Sequence, residues 1–279
     1  MAAPHSHPVD TEFQKLVRRE PTVDLTTVAL ELARDLSPDL EFAAVRGWIA
    51  ERVRELAGPM ARSQTERDAL EHLGRHLTTE HGLCVAIGGS VSAETGSLNH
   101  VIETGRGTSI CLSLIAMAVA GPLGLELRGV NTPTRCLTRL EVAEGPLFLD
   151  LFSGSRVCTM AECLERLRRD SALPAESLSA ALKPSSPRAI VIRMLNDRKA
   201  AHMRAAHWQA AWKTQQRLAV LQPASFTVRR DLAVLLLRVD RPGQAVDLLR
   251  SCLRVCPSAE QPALRRQLAE ARNGLSRWN

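Results

Sequence analysis

The chain contains no tyrosine, and phenylalanine and tryptophan together bring the aromatic content to only 3%. Surfaces that bind single strands stack bases on aromatic rings, and none of the basic pairs Arg18-Arg19, Arg168-Arg169, Arg229-Arg230 and Arg265-Arg266 lies next to such a platform. The net charge of +6 therefore reads as solvated helix faces, and nucleic acid is not the expected partner. Long apolar runs are also missing. A spanning helix needs about 18–20 apolar residues, whereas the best stretch, Ile110 to Leu127, is broken by Ser113, Gly121, Pro122, Gly124 and Glu126. The polar first ten residues carry no charged segment followed by an apolar core, so a cytoplasmic location without a membrane anchor is expected. Cysteines occur at 84, 111, 136, 158, 163, 252 and 256, but no Cys-x-x-Cys pair does. A disulfide framework or structural zinc site is not expected, and these thiols read as small buried hydrophobes. No Gly-Lys-Ser/Thr follows Gly88-Gly89-Ser90, so this glycine-rich segment is not a phosphate loop and no cofactor is expected.

What is present is helix-forming. Ala, Leu and Arg dominate, a bias typical of a GC-rich bacterial genome. The first twenty residues read as a flexible N-terminus. Asp24 can cap a helix through Val28 to Ala33, ended by Pro38; a second runs from about Leu40 to Leu56, and a third from about Ser63 to Thr78. Residues 85–99 read as a loop. A strongly apolar helix follows from Ser109 to about Leu123, then two strand-like segments at 135–142 and 147–152, turned by Glu144-Gly145-Pro146. Thr159 can cap a further helix. From about Pro187 the pattern is helical throughout. Here Ala211 and Pro223 recur as Ala245 and Pro257, both 34 residues on, with Leu221 matched by Val255. That is the period of the tetratricopeptide repeat. It predicts two antiparallel helices near 227–238 and 243–256, broken across Arg241-Pro242-Gly243. The domain division is thus 1–20, a helical part plus α+β core at 21–185, and helical repeats at 186–279.

The order helix start, strand, strand over 105–152 is the order in which a nucleophile, a base and an orienting acid could be brought together. The segment Leu98-Asn99-His100-Val101-Ile102 and the run from Arg106-Gly107-Thr108-Ser109 to Ser113 resemble the signature of the SirB-type branch of the transglutaminase-like superfamily. Leu123 to Val130, Thr132-Pro133-Thr134-Arg135-Cys136-Leu137-Thr138-Arg139 and Leu149-Asp150-Leu151-Phe152-Ser153-Gly154 continue the likeness. The resemblance implies a mainly helical α+β fold, with a papain-like core and a small antiparallel sheet, ahead of the tetratricopeptide-like helices. It puts the nucleophile position on Ser109, the base position on Arg135 and the acid position on Asp150.

Arginine stays protonated and cannot act as a base, and serine without a base is a poor nucleophile. The expected function is therefore that of a non-catalytic scaffold whose helical repeats bind a protein or peptide. The alternative is a cysteine or serine hydrolase or transamidase using Ser109 or Cys111, with His100 the base to test. Cys111 lies about 200° around the helix from Ser109 and reads as a core thiol. On neighbouring strands, Arg135 and Asp150 are expected to form a structural ion pair, with Arg139 as a competing partner for the acid. No cysteine is expected to be unusually acidic. His72, His76 and His81 include an i, i+4 pair of the kind that binds zinc, with Glu71 and Glu80 nearby in sequence. They read as exposed helix histidines, and Cys252 with Cys256 as packing residues, so no metal site is expected.

Overall fold

The computed structural model describes residues 10–88, 91–152 and 154–276. Gly89 and Ser90, which the sequence placed in a loop, lie outside the described residues, as do Ser153 and residues 1–9 and 277–279. The chain separates into two compact units, residues 1–194 and 195–279.

The first unit opens with α1 (Thr11–Arg18), inside the segment read as flexible. Three side chains hold it. Phe13 and Leu16 are buried, and the buried Glu31 of α2 (Leu25–Ala33) accepts the backbone N–H groups of Glu12 and Phe13 at 3.0 and 2.7 Å. A helix start leaves its first N–H groups without partners inside the helix, and a carboxylate borrowed from another helix supplies them. Asp24 caps α2, accepting from Thr26 and Thr27 N–H. Next come α3 (Phe42–Ala61) and α4 (Glu66–Arg75), the latter started by a capping box between Thr65 and Asp68. The third helix does not run on to Thr78 as an α-helix. It widens into a π-turn over His76–Glu80, closed by His81 N–H on the His76 carbonyl at 3.1 Å.

The segment read as a loop contains β1 (Cys84–Val85), which pairs in parallel with β2 (Arg106–Gly107) across α5 (Leu98–Thr104). The central helix α6 (Ser109–Ala120) is capped by Thr108, whose hydroxyl accepts Cys111 N–H. It is apolar nearly all round, which marks a helix surrounded by protein. Four strands follow rather than two: β3 (Arg128–Asn131), β4 (Cys136–Leu140), β5 (Leu147–Asp150) and β6 (Arg156–Thr159), in antiparallel order 3-4-5-6. The sheet is sandwiched. Cys136, Leu140, Leu147, Leu149 and Val157 pack with α6 in the main core, and Val130, Leu137, Phe148 and Cys158 face Cys163 and Leu167 of α7 (Met160–Asp170) and Leu178 of α8 (Ala175–Ala181). This is the two-residue alternation of a sheet buried on both sides. Gly129 is required by close approach: a Cβ there would lie 2.6 Å from Ile190 Cδ1.

Ile190 belongs to α9 (Pro187–Arg204), along which the first unit ends and the second begins. The second unit continues with α10 (Trp208–Leu221), α11 (Phe226–Arg238), α12 (Pro242–Leu253) and α13 (Gln261–Ser276), each packed on the next. The chain breaks between α11 and α12, at Asp240 in a left-handed conformation and Pro242 at the first helical position. The repeated Ala211 and Ala245 are both fully buried in one cluster with Trp212, Leu236 and Leu249. The matched pair Leu221 and Val255 differ: Leu221 is buried, and Val255 sits exposed beyond the end of α12.

Candidate functional site

Ser109 is the first residue of α6, where the helix offers unpaired N–H groups and partial positive charge. Its Oγ accepts the backbone N–H of Cys136, at the start of β4, at 3.0 Å. A serine nucleophile needs a base to remove its proton, and the partner of this oxygen is an N–H donor instead. Cys111, the alternative nucleophile, is fully buried among the α6 core residues. The structure thus joins Ser109 to the backbone next to Arg135, and turns Cys111 into the core. His100, the sequence's candidate base, lies on α5; the partner that Ser109 Oγ finds is the Cys136 N–H.

Arg135 and Asp150 meet directly, with Nη1 3.2 Å from Oδ2. Asp150 ends β5 and is only 4% exposed. By strand alternation it shares the Phe148 face, covered by α7, whereas Leu149 faces α6. Helix α7 contributes two more charges: Arg166 lies 3.6 Å from the same Asp150 oxygen, and Asp170 bonds Arg135. The other Asp150 oxygen accepts Phe152 N–H at 2.9 Å, and the Arg135 guanidinium lies 4.8 Å over the Phe152 ring. Two arginines and two carboxylates thus form a chain of contacts, Arg166–Asp150–Arg135–Asp170, in which the buried carboxylate has cationic partners on both sides. Arg139 takes no part. It lies opposite Phe148 in register, and its guanidinium bonds Glu141 and the Leu182 carbonyl.

A sequence scan for the base and acid misses Arg166 and Asp170. Their one signal is i, i+4 spacing on an amphipathic helix, which looks the same as an ordinary solvated face. The same helix corrects the expectation of ordinary thiols. Cys158 on β6 lies behind the ion network, beside Cys163 and with Arg166 Nη1 3.9 Å from its sulfur. Hydrogen bonding from the Cys163 thiol, aided by the Arg166 charge, lowers the Cys158 thiol below the ordinary range and pushes the Cys163 thiol up. Both sulfurs are buried. In the second unit burial raises the Cys252 thiol, and the Cys256 sulfur contacts the Leu253 carbonyl.

The histidines divide differently from the i, i+4 reading. His72 bonds Arg75, while His76 and His81 converge on Glu55 of α3.

Comparison with known proteins places these geometries in a family. Residues 24–196 match the model of the transglutaminase-like superfamily. The chain belongs to the transglutaminase-like superfamily. The match takes in α2 through most of α9, including the sheet and both sides of the Arg135–Asp150 network. Residues 199–273 match the tetratricopeptide repeat. Among curated proteins, a UPF0162 protein of Xylella fastidiosa (strain Temecula1) is 29% identical over 245 residues, 85% of each chain. A UPF0162 protein of Pseudomonas aeruginosa is 29% identical over 254 residues, 91% of this chain and 93% of its own. No solved structure matches the chain. The fold is therefore a transglutaminase-like α+β domain followed by tetratricopeptide helices, and among the described residues no helix is long and apolar enough to cross a membrane.

Proposed function

We propose that the chain is a non-catalytic member of the SirB-type branch of this superfamily, and that it serves as a scaffold whose tetratricopeptide helices bind a protein or peptide. One observation carries the reading. The position that the resemblance assigns to a base holds Arg135, and its guanidinium is bonded to the acid at Asp150. A permanent cation there accepts no proton, and the acid is committed to two arginines rather than to orienting an imidazole. The partner of Ser109 Oγ supports the same reading. In the second unit, α11, α12 and α13 leave a cleft of about 590 Å³ lined by Leu237, Pro242, Arg266, Glu270 and Asn273, with the mix of apolar and charged groups that an extended peptide engages.

The test uses the full chain. Activated esters and amine acceptors should show no turnover that depends on Ser109, so that Ser109→Ala equals the parent. Photo-crosslinkers placed at Arg266 and Asn273 should capture one specific protein partner, and Arg266→Glu should lose it while Arg135→Lys keeps it. Turnover abolished by Ser109→Ala or by Cys111→Ala would overturn the proposal in favour of a hydrolase or transamidase.

A further inference from the structure

We infer that Glu55, His76 and His81 form a binding site for one zinc-class divalent ion, which clamps α3 to the end of α4. The ring nitrogens His76 Nε2 and His81 Nε2 each lie 3.0 Å from the same oxygen, Glu55 Oε2. The three ligand atoms lie within 4.8 Å of one another. With bonds of about 2.0–2.1 Å to nitrogen and oxygen, a tetrahedral ion holds its ligands roughly 3.3–3.5 Å apart. The two nitrogen–oxygen edges need to open by only a few tenths of an ångström to admit the ion, and the two nitrogens already lie within 4.8 Å of each other. Two imidazoles and a carboxylate are a borderline donor set that suits zinc over calcium or magnesium, and three protein ligands leave a fourth position for water or a small ligand. The cluster lines a cleft of about 300 Å³, so that position has an approach.

Two further observations point the same way. The backbone adopts its π-turn at these residues and nowhere else among the described residues. In a continuous α-helix, five steps would set His81 about 140° around the axis from His76. The widened turn instead brings the rings to 4.5 Å between centroids. Single π-turns are unfavourable and concentrate at functional sites. The second observation is the partner of the far nitrogen. Glu80 Oε2 lies 2.6 Å from His76 Nδ1, the outer carboxylate that fixes the tautomer of a metal-binding histidine and turns its Nε2 lone pair toward the ion. Carboxylates only accept, so Nε2 of His76 must offer Glu55 either a proton or a metal ion. Arg52 is the neighbouring cation; it bonds both Glu55 oxygens and also Glu51. It thus orients the carboxylate while its own charge is shared with a second acid. The pairing that sequence spacing suggests, His72 with His76, is not the one assembled.

The experiment titrates ZnCl₂ into the full chain by calorimetry, and CoCl₂ by visible ligand-field absorption. His5→Ala/His7→Ala serves as background, so that the histidines near the N-terminus do not contribute. One ion per chain is expected, with four-coordinate cobalt bands and a Tm raised by zinc and lowered again by chelator. His81→Ala and Glu55→Gln should each weaken binding by at least about 100-fold, and Glu80→Gln by roughly 10–100-fold, as for other outer-shell carboxylates. His72→Ala should leave it unchanged. His81 is partly exposed, so its variant is expected to fold, which circular dichroism checks. Absence of saturable binding, binding unaffected by His81→Ala, or loss on His72→Ala equal to that on His81→Ala would overturn the assignment.

Discussion

At the scale of single residues, the Arg135–Asp150 contact is a buried charge pair with a reserve partner. Removing one member of such a pair leaves the other unpaired in a region of poor solvation. Arg135→Ala should therefore lower stability by about 1–3 kcal/mol, at the lower end while Arg166 remains 3.6 Å from Asp150. Chemical denaturation of Arg135→Ala, Asp150→Asn and the double variant checks this: the double should lose less than the sum of the singles, whereas strict additivity would show that the two groups do not interact. The pair was legible through the resemblance alone, because sequence left Arg135 and Arg139 as rivals for the acid. Register decided between them, and no local pattern encodes register. The thiols show the reverse. Nothing in the spacing of Cys158 and Cys163 announced an acidic thiol; the strand-to-helix turn at Thr159 brings them together. Thiolate ultraviolet absorbance should reveal one proton leaving the pair at a pH below the ordinary thiol range, and Cys163→Ala should return that step toward the ordinary thiol value of about 8.5.

At the scale of elements, capping and close packing decide where helices start and how they sit. Helix α1 depends on a group supplied by α2. Glu31→Ala removes the acceptor of two N–H groups, so residues 11–18 should fray, seen as faster amide exchange there with little change in the sheet. A flexible N-terminus was the natural reading of those residues, because the stabilising carboxylate lies in the next helix. Gly129 is a second case. Gly129→Ala should destabilise by about 1–3 kcal/mol, as overpacking does, and Ile190→Val, which removes the Cδ1 atom at issue, should recover most of it. Were Ile190→Val to add its own loss instead, the clash would not be the cause. Among the strands, the two with period-two patterns were visible, while β3 and β6 were hidden. Four residues of Arg-Gly-Val-Asn or Arg-Val-Cys-Thr carry too little pattern for the alternation to show, and pairing with a neighbour is what makes them strands.

At the scale of the whole molecule, the acid stability follows from how its carboxylates are held. Arg52 holds Glu55 at about 2, Arg139 holds Glu141 below the usual range, and the Thr159 N–H and hydroxyl do the same for Glu162. These carboxyls are lower in the folded than in the unfolded chain, where glutamate titrates near about 4.3. Their contribution is thus complete above that pH and is lost as pH falls toward about 2. Glu31 has the opposite sign: burial raises it, so it gives up stability as pH rises through its folded value. Four lowered groups, counting Glu12 with its Lys15 hydrogen bond, outnumber one raised, and denaturation midpoints should fall between pH 5 and pH 3, a fall that Glu55→Gln should reduce. A midpoint unchanged over that range would show that these contacts are too well solvated to matter.

The sequence by itself determined the class of the fold, the order of its parts and the permanent charge at position 135. Apolar periodicity, the 34-residue offset between Ala211 and Ala245 and the identity of Arg135 are local properties, and helix burial, repeat packing and permanent charge follow from them directly. Only the tertiary structure decided which groups meet. Glu55 is 21 residues from His76, Arg166 reaches Asp150 from the helix that follows the next strand, and Ser109 meets the Cys136 N–H because α6 lies on that face of the sheet. Such contacts depend on register, on a widened helical turn and on the packing of separate elements, and these are set by the burial of the whole core rather than by any segment of the chain.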